Sequence, residues 1–139
     1  MTAPVSGRRL VRPAGVAHPR LEVLTHAGKE VILFNLRGMT DHEAAVALVE
    51  GVYRQFMDAQ VPDKQGLTLV DVRDTPNSPK AATAMRNFAQ LNIPYVKASA
   101  VVTNSSINRL AVSTIAMFTK RKIKTFEDPT AAMEWLVAQ

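Results

Sequence analysis

The chain contains no cysteine and only three histidines among its 139 residues. The absence of thiols excludes disulfide scaffolds, thiolate metal sites and cysteine nucleophiles, and it makes the cytoplasm the expected location. His18, His26 and His42 stand apart in the sequence. The run Asp41-His42-Glu43 directs successive side chains to different faces of a helix, so no metal site is predicted.

Long apolar runs and phosphate-binding motifs are also missing. Crossing a bilayer takes about 18 consecutive apolar residues, and no such run exists. The opening residues MTAPVSGRRL lack the apolar block of a secretory signal. Glycine-rich phosphate loops and the G-x-S-x-G motif are absent. With a hydrophobic content of 47%, the chain suits one globular domain.

Positive charge is concentrated at the start of the chain. The formal net charge is +5, but residues 1–20 hold four arginines and no acid, so the remainder is nearly neutral. Binding to nucleic acid needs several clustered cations on the folded surface, and nucleic acid is therefore not an expected partner. Residues 1–19 contain three prolines and two glycines. They are predicted to form a flexible basic arm ahead of a domain at 20–139.

Hydrophobic periodicity predicts the element order ββαβαβαβα. Strands are expected at 21–26, 30–37, 67–72, 96–103 and 123–126, and helices at about 40–60, 79–92 and 105–119 and from 128 onward. The turn residues Ala27-Gly28 make the first two strands an antiparallel hairpin. Alternation of strands and helices after that predicts an α/β fold with a mixed, mostly parallel sheet of about five strands and four helices.

Helix starts are marked by capping residues. Thr40 and Glu43 have the spacing of a capping box. Ser78 precedes Pro79, and Asp128 precedes Pro129, which pairs a capping side chain with a proline at the first helical position. Either Ser105 or Ser106 is expected to cap the third helix.

The third helix is apolar on most sides. Its apolar residues include Ile107, Leu110, Ala111, Ile115 and Phe118. Such a helix is typical of a buried core. Two alternatives remain: the helix lines a cavity for an apolar molecule, or it pairs with a second copy in a homodimer.

Carboxylates follow two of the strands. Asp71, Asp74 and Asp128 are expected at one edge of the sheet, where they form an acid–base pair, bind a hydrated magnesium ion, or act as caps and partners of Arg37 and Arg73. Ser78, Ser105 and Ser106 have no base beside them in sequence. No catalytic residue, metal or cofactor is therefore predicted, and the protein is not expected to be an enzyme.

The residues Lys120–Lys124 form a dense cationic run at the end of the third helix. Cations at a helix C-terminus oppose the macrodipole, so a solvated surface is expected. A docking patch for an acidic partner or a lipid head group is the alternative.

Three tracts carry a resemblance to a known family: GKEVILFNLRGMT, PYVKASAVVTNSSINRLAVSTIAMF and KIKTFEDPTAAMEWLVAQ. Over about residues 21–139 the chain resembles the small bacterial STAS/SEC14-like (SpoIIAA-like) domain family. The resemblance implies that fold and a non-catalytic regulatory module in signalling, which binds a partner such as a kinase or a sigma-factor regulator. The SEC14-like resemblance implies the alternative, a carrier of a lipid-like apolar molecule.

The anti-sigma-factor antagonists in this family are phosphorylated on a hydroxyl residue where a helix follows a core strand. The resemblance therefore implies Ser78 as the first phosphoacceptor candidate and Thr75 as the second. The sequence departs from the family pattern, because a proline follows each of these residues and the expected glycine is absent. Partner-binding candidates lie at the carboxyl ends of the strands: Arg37, Asp71, Asp74, Ser105 and Ser106.

Overall fold

The computed structural model describes residues 10–76 and 78–139, which contain a five-stranded sheet. The strands are β1 (Leu21–His26), β2 (Lys29–Asn35), β3 (Gly66–Asp71), β4 (Val96–Val102) and β5 (Ile123–Phe126). They lie side by side in chain order. The β1–β2 pair is antiparallel and the other three pairs are parallel, which confirms the predicted fold class.

The helices connect and cover this sheet. They are α1 (His42–Leu48), α2 (Arg54–Asp58), α3 (Pro79–Leu91), α4 (Ser106–Thr119) and α5 (Pro129–Val137). A π-helical segment, Val49–Tyr53, joins α1 to α2. These three segments follow one another without a break, so the described residues contain the four helices that the sequence predicts.

The β1–β2 hairpin turns at the residues expected from the sequence. Ala27 and Gly28 have φ angles of 51° and 76°. Two positive φ angles in a row define a two-residue turn whose twist matches that of the flanking strands. The hairpin register runs from Leu21 opposite Phe34 to His26 opposite Lys29.

The two faces of the sheet carry separate apolar cores. Right-handed crossovers that always advance in the same direction place α1–α2, α3 and α4 on one face. On that face Phe34 stacks on Tyr53, with ring centroids 4.2 Å apart, and meets the edge of Phe88 at 5.1 Å. Helix α5 covers the other face, where Ala132 and Leu136 are fully buried.

The start of α1 differs from the prediction. The carboxylate of Asp41 accepts hydrogen bonds from the backbone N–H groups of Glu43 and Ala44 at 3.0 and 3.2 Å. The capping box of Thr40 and Glu43 is therefore wrong, because the helix begins one residue later and Asp41 occupies the capping position. The shift matters little to the fold, since both residues are capping types.

The structure confirms the predicted starts of the other three helices, α3, α4 and α5. Ser78 caps α3 and accepts a hydrogen bond from the N–H of Ala81 at 3.1 Å. Asp128 caps α5 ahead of Pro129. The sequence predicts either Ser105 or Ser106 as the cap of α4; in the structure Ser105 is the cap and Ser106 is the first helical residue. Local capping chemistry thus places three of the four helix starts correctly.

Residues 10–19 form no helix or long strand, but they contact the domain. The N–H of Leu10 donates to the carboxylate of Glu30 at 2.8 Å. Val11 exchanges two hydrogen bonds with the side-chain amide of Gln60, at 2.9 and 2.8 Å. Arg8 and Arg9 lie outside the described residues, and the division between arm and domain at residue 19 stays a prediction.

Candidate binding cavity

A cavity of about 120 Å³ lies between α3 and α4, on the face of the sheet opposite to α5. Its walls are mainly apolar and include Val49, Val70, Ala84, Phe88, Val112 and Ile115. Four alanines of α3 contribute to the lining: Ala81, Ala82, Ala84 and Ala89. A methyl group is too short to fill the space between neighbouring helices, so the alanine-rich sequence of α3 leaves the void.

Helix α4 forms the outer wall and is poorly buried. None of its residues, all of which are described, is buried. Ala111, Val112 and Ile115 face the cavity. The core interpretation of α4 is therefore wrong. Its predicted role as a cavity wall holds for Ala111 and Ile115, whereas Ile107, Leu110 and Phe118 are 63%, 70% and 68% exposed.

The cavity has a polar end on the side of the amino ends of β3 and β4. Thr68 and Ser99 are neighbours across the β3–β4 pair, and their hydroxyl oxygens lie 2.5 Å apart. Arg121 donates one hydrogen bond to Ser99 Oγ at 2.9 Å and another to the carbonyl oxygen of Ala89 at 3.3 Å. Asn92, 2% exposed, completes this end of the lining. An apolar cavity thus ends in a cation and hydroxyl groups.

Arg121 is the residue that sequence reasoning missed. It belongs to the Lys120–Lys124 run, which was expected to be solvated. Lys120 has a φ of 54°, which ends α4 in the left-handed conformation, and Arg121 then lies beneath the helix. Burial lowers the pKa of Arg121 to about 10. The solvated-surface prediction is wrong for Arg121, whereas Lys120, Lys122 and Lys124 are exposed.

The acidic residues at or after the carboxyl ends of β3 and β5 each have a different hydrogen-bonding partner. Asp71 accepts two hydrogen bonds from the Arg73 guanidinium, at 3.0 and 2.7 Å. The hydrogen bond that Arg73 donates to Asp71 raises the pKa of Arg73 above the usual range. Asp128 accepts hydrogen bonds at the start of α5. Within residues 10–76 and 78–139, no group of three or more acids or histidines is placed to hold a metal ion.

Asp74 contacts Asn104 and Arg37. The Asn104 side-chain amide donates to Asp74 at 2.9 Å, and the Arg37 guanidinium lies 3.5 Å from the same carboxylate. The hydrogen bond from Asn104 lowers the pKa of Asp74 below its ordinary value. The acids at this edge therefore take the roles of caps and arginine partners, the third of the alternatives raised by the sequence.

The predicted phosphoacceptors both form hydrogen bonds with the backbone. Ser78 Oγ accepts from the backbone of α3, and Thr75 Oγ1 donates to the carbonyl oxygen of Leu36 at 2.7 Å. Ser105 Oγ accepts from the N–H of Asn108, and Ser106 is exposed. The structure brings Arg37 and Asp74 together, but the partner-binding and phosphorylation roles of all these residues stay predictions.

The sheet in chain order, with its connecting helices on one face and a single helix on the other, defines a STAS-like α/β domain. The family model described as SpoIIAA-like matches residues 31–137. The chain belongs to the SpoIIAA-like family. None of its described helices has the length and apolar character that a membrane span requires.

A solved structure agrees with this assignment. The crystal structure of an uncharacterized protein from the DUF3478 family, with a SpoIIAA-like fold, from Shewanella loihica PV-4 is similar to this chain with a TM-score of 0.56. The match covers 84% of this chain and 91% of that chain at 19% sequence identity. No curated protein matches the chain. At this level of identity the likeness shows the fold alone.

Proposed function

We propose that this protein is a non-catalytic binding domain that takes up a small apolar molecule in the cavity between α3 and α4. The observation that carries the proposal is the open cavity of about 120 Å³ lined mainly by apolar side chains. An apolar cavity of about 150 Å³ is known to hold benzene, so a molecule of roughly that size fits here. Poor burial of α4 supports its role as the movable wall through which a ligand enters.

A cavity-filling variant tests the proposal. The Ala111→Phe substitution places a ring in the cavity, whereas Thr114→Phe places the same ring on the exposed side of the same helix. The probe is 1-hexanol, followed by NMR shifts of the Ala111 and Val112 methyl groups, or of Val112 alone in the Ala111 variant. We expect saturable binding to the wild type and to Thr114→Phe, and at least a tenfold weaker affinity for Ala111→Phe. Absence of saturable shifts in the wild type would contradict the proposal.

A second candidate is a regulatory protein-interaction module of the kind found among anti-sigma-factor antagonists. It is favoured by an exposed apolar stripe on α4, formed by Ile107, Leu110, Met117 and Phe118, which are 63%, 70%, 81% and 68% exposed. Exposed apolar patches commonly mark interaction surfaces. The partner is then a regulatory protein, such as a kinase or a sigma-factor regulator, or a second copy of the chain.

Charged substitutions on the stripe test this candidate. Leu110→Glu introduces a charge into the stripe, and Asn87→Glu introduces the same charge on the exposed surface of α3, outside the stripe. Light scattering reports on a homodimer, and pull-down from the native cell extract reports on another partner. A complex that survives Leu110→Glu unchanged would argue against α4 as the interface.

The second candidate includes a phosphorylation switch at Ser78, with Thr75 as the next acceptor. A phosphate on Ser78 would stand at the N-terminus of α3, where the macrodipole favours negative charge. Thr75 is the weaker acceptor because its hydroxyl is bonded to Leu36 O. Mass spectrometry of the protein isolated from its own cells would detect either phosphate. Unmodified Ser78 and Thr75 under conditions in which the partner is released would contradict the switch.

A further inference from the structure

Arg121 has donor capacity that the described residues do not use. A guanidinium carries five N–H donors and no acceptor. Hydrogen bonds to Ser99 Oγ and Ala89 O occupy two of them. Among the described residues no carboxylate forms an ion pair with Arg121, in contrast to Arg73, which is paired with Asp71. The cation in the cavity is therefore without a full counter-charge.

The hydroxyl groups of Thr68 and Ser99, beside Arg121, also include one unused hydrogen-bond donor. Thr68 and Ser99 share one hydrogen bond, and Ser99 Oγ already accepts from Arg121. Whichever hydroxyl donates within the pair, the hydrogen of the other has no partner among the described hydrogen bonds. Both residues line the cavity, so this donor points to the same end as the guanidinium.

Asn92 adds a third polar group at this end. Its side chain is buried, and its Oδ1 has no hydrogen-bond partner in the described structure. A half-turn of the amide exchanges NH₂ for oxygen without a change of shape, so Asn92 can present a donor to a ligand. Buried polar groups are almost always hydrogen-bonded, and an unbonded one calls for an explanation.

We infer that the ligand of the cavity is a small apolar monocarboxylic acid, with its carboxylate bound by Arg121, Ser99 and Thr68. This inference rests on the proposed function, because it names the ligand class of the same cavity. A guanidinium matches a carboxylate with two parallel hydrogen bonds. Its single positive charge balances a carboxylate, whereas a phosphate monoester brings about two negative charges. The carbonyl of Ala89, near the C-terminal end of α3, supplies only part of a counter-charge.

The cavity volume restricts the apolar part of the acid. A cavity of about 150 Å³ holds benzene, so about 120 Å³ suits a smaller hydrocarbon group, such as the five-carbon tail of hexanoate. The carboxylate lies at the polar end, and the hydrocarbon part extends between the alanines of α3 and the inner face of α4. The ligand therefore provides a counter-charge for Arg121 and places its hydrocarbon part against the apolar walls.

The direct test compares hexanoate with 1-hexanol on the wild-type protein by NMR titration at neutral pH. We expect hexanoate to bind at least tenfold more tightly. Equal affinities would overturn the carboxylate site and leave the apolar cavity standing, whereas binding of neither probe would overturn the proposed function itself. Hexyl phosphate that binds as tightly as hexanoate would overturn the choice of a carboxylate.

Variants identify the group that binds the carboxylate. Arg121→Met removes the cation but keeps a long side chain, and Lys122→Met is the matched control because Lys122 is the exposed neighbouring cation. We expect Arg121→Met to lose the preference for hexanoate while it still binds 1-hexanol, and Lys122→Met to behave like the wild type. Ser99→Ala, which keeps Arg121, is expected to reduce the preference severalfold. An undiminished preference in Arg121→Met would overturn the assignment.

Discussion

The hydroxyl of Tyr53 donates a hydrogen bond to the carbonyl oxygen of Arg20 at 2.9 Å. This contact joins the π-helical segment to the residue that precedes β1. The Tyr53 ring is 1% exposed and stacked on Phe34. Burial raises the pKa of Tyr53 well above its usual range, so the hydroxyl remains a donor at all ordinary pH values.

Tyr53→Phe should therefore lower the free energy of unfolding by about 1 kcal/mol, the net value of one hydrogen bond. The loss is limited because Arg20 O keeps a second hydrogen bond, from the N–H of Asn35. Urea denaturation followed by circular dichroism measures the change. Tyr95→Phe is the control, since no side-chain hydrogen bond of Tyr95 is present among the described residues; equal losses in both variants would contradict the prediction.

Gly66 stands where the chain leaves no room for a side chain. A Cβ at this position would lie 2.7 Å from the backbone carbonyl oxygen of Tyr95, which also accepts the hydrogen bond from Gly66 N at 2.9 Å. Backbone must shift to relieve this overlap, so Gly66→Ala should cost about 1–3 kcal/mol of stability.

Gly51 is the matched control for Gly66. A Cβ on Gly51 meets nothing within 4 Å, and the residue lies in the middle of a long helical stretch. Gly51→Ala should stabilise the protein by about 0.5–1 kcal/mol because alanine loses less backbone entropy in a helix. Thermal unfolding of the two variants should thus shift in opposite directions, and a shared direction would show that the argument from space is wrong.

Ser78 can be tested as a cap independently of any phosphate. Ser78→Ala removes the acceptor of the hydrogen bond from Ala81 N, and it should cost about 1 kcal/mol. Ser78→Asp keeps a capping oxygen and adds a charge that the helix N-terminus favours, so its stability should stay within about 0.5 kcal/mol of the wild type. Denaturant titration distinguishes them. If Ser78→Asp were as unstable as Ser78→Ala, the capping role would fail.

The pKa of Asp74 should respond to its amide partner. The hydrogen bond from Asn104 stabilises the ionised carboxylate and holds the pKa of Asp74 below 3.8. Asn104→Ala should raise this pKa toward 3.8, as measured by NMR titration of the carboxyl carbon. Asn87→Ala, on the exposed surface of α3, should leave it unchanged.

The sign of the pH effect follows from the direction of that shift. Because the pKa of Asp74 is lower in the folded state than in the unfolded chain, its contribution to stability is fully present above pH 3.8. The contribution disappears as the pH falls through the pKa of the folded state. The stability difference between the wild type and Asn104→Ala should therefore narrow on acidification, and a difference that widens below pH 3.8 would contradict the assignment.

Removing the cation of Arg121 should cost little stability. Burial without a carboxylate partner lowers the pKa of Arg121 to about 10, which means that the folded state disfavours the charged form. Replacement by methionine loses two hydrogen bonds but also removes this penalty, so Arg121→Met should remain within about 1 kcal/mol of the wild type at neutral pH.

The Asp71–Arg73 pair provides the contrast. Its side chains are 11% and 20% exposed, and Arg73→Met would leave the carboxylate of Asp71 without its ion-pair partner. Because the pair is only partly buried and Asp71 keeps its hydrogen bond from the backbone N–H of residue 73, this variant should lose about 1.5–3 kcal/mol, the range for hydrogen bonds to charged groups. Urea denaturation at pH 7 compares the two arginine variants. A loss of the same size in Arg121→Met would show that Arg121 serves the fold rather than a ligand.

Much of the fold follows from local sequence. The Ala27-Gly28 pair predicts the hairpin turn, and the residues before Pro79 and Pro129 predict two helix starts, because these features depend on a few neighbouring residues. The predicted start of α1 lies one residue before the observed one. Thr40 and Asp41 are both good caps, and which of them is used depends on where the chain leaves the sheet after β2.

The candidate site was much harder to predict. The sequence pattern of α4 is typical of a core helix, yet Leu110 and Met117 are exposed. Periodicity shows that a helix has an apolar face, but it does not show how closely the neighbouring helix approaches. That distance depends on the alanines of α3, which leave space under α4.

By itself, the amino-acid sequence determined the order of strands and helices and the mostly parallel sheet, because these depend on short-range periodicity, capping and turn chemistry. The family was indicated separately, by the resemblance of three tracts to known members. Only the tertiary structure decided that Arg121 lies in a cavity while its neighbours Lys120 and Lys122 are exposed. The physical reason is that burial of a charge depends on the approach of three distant segments, α3, α4 and β4, to the same few ångströms of space.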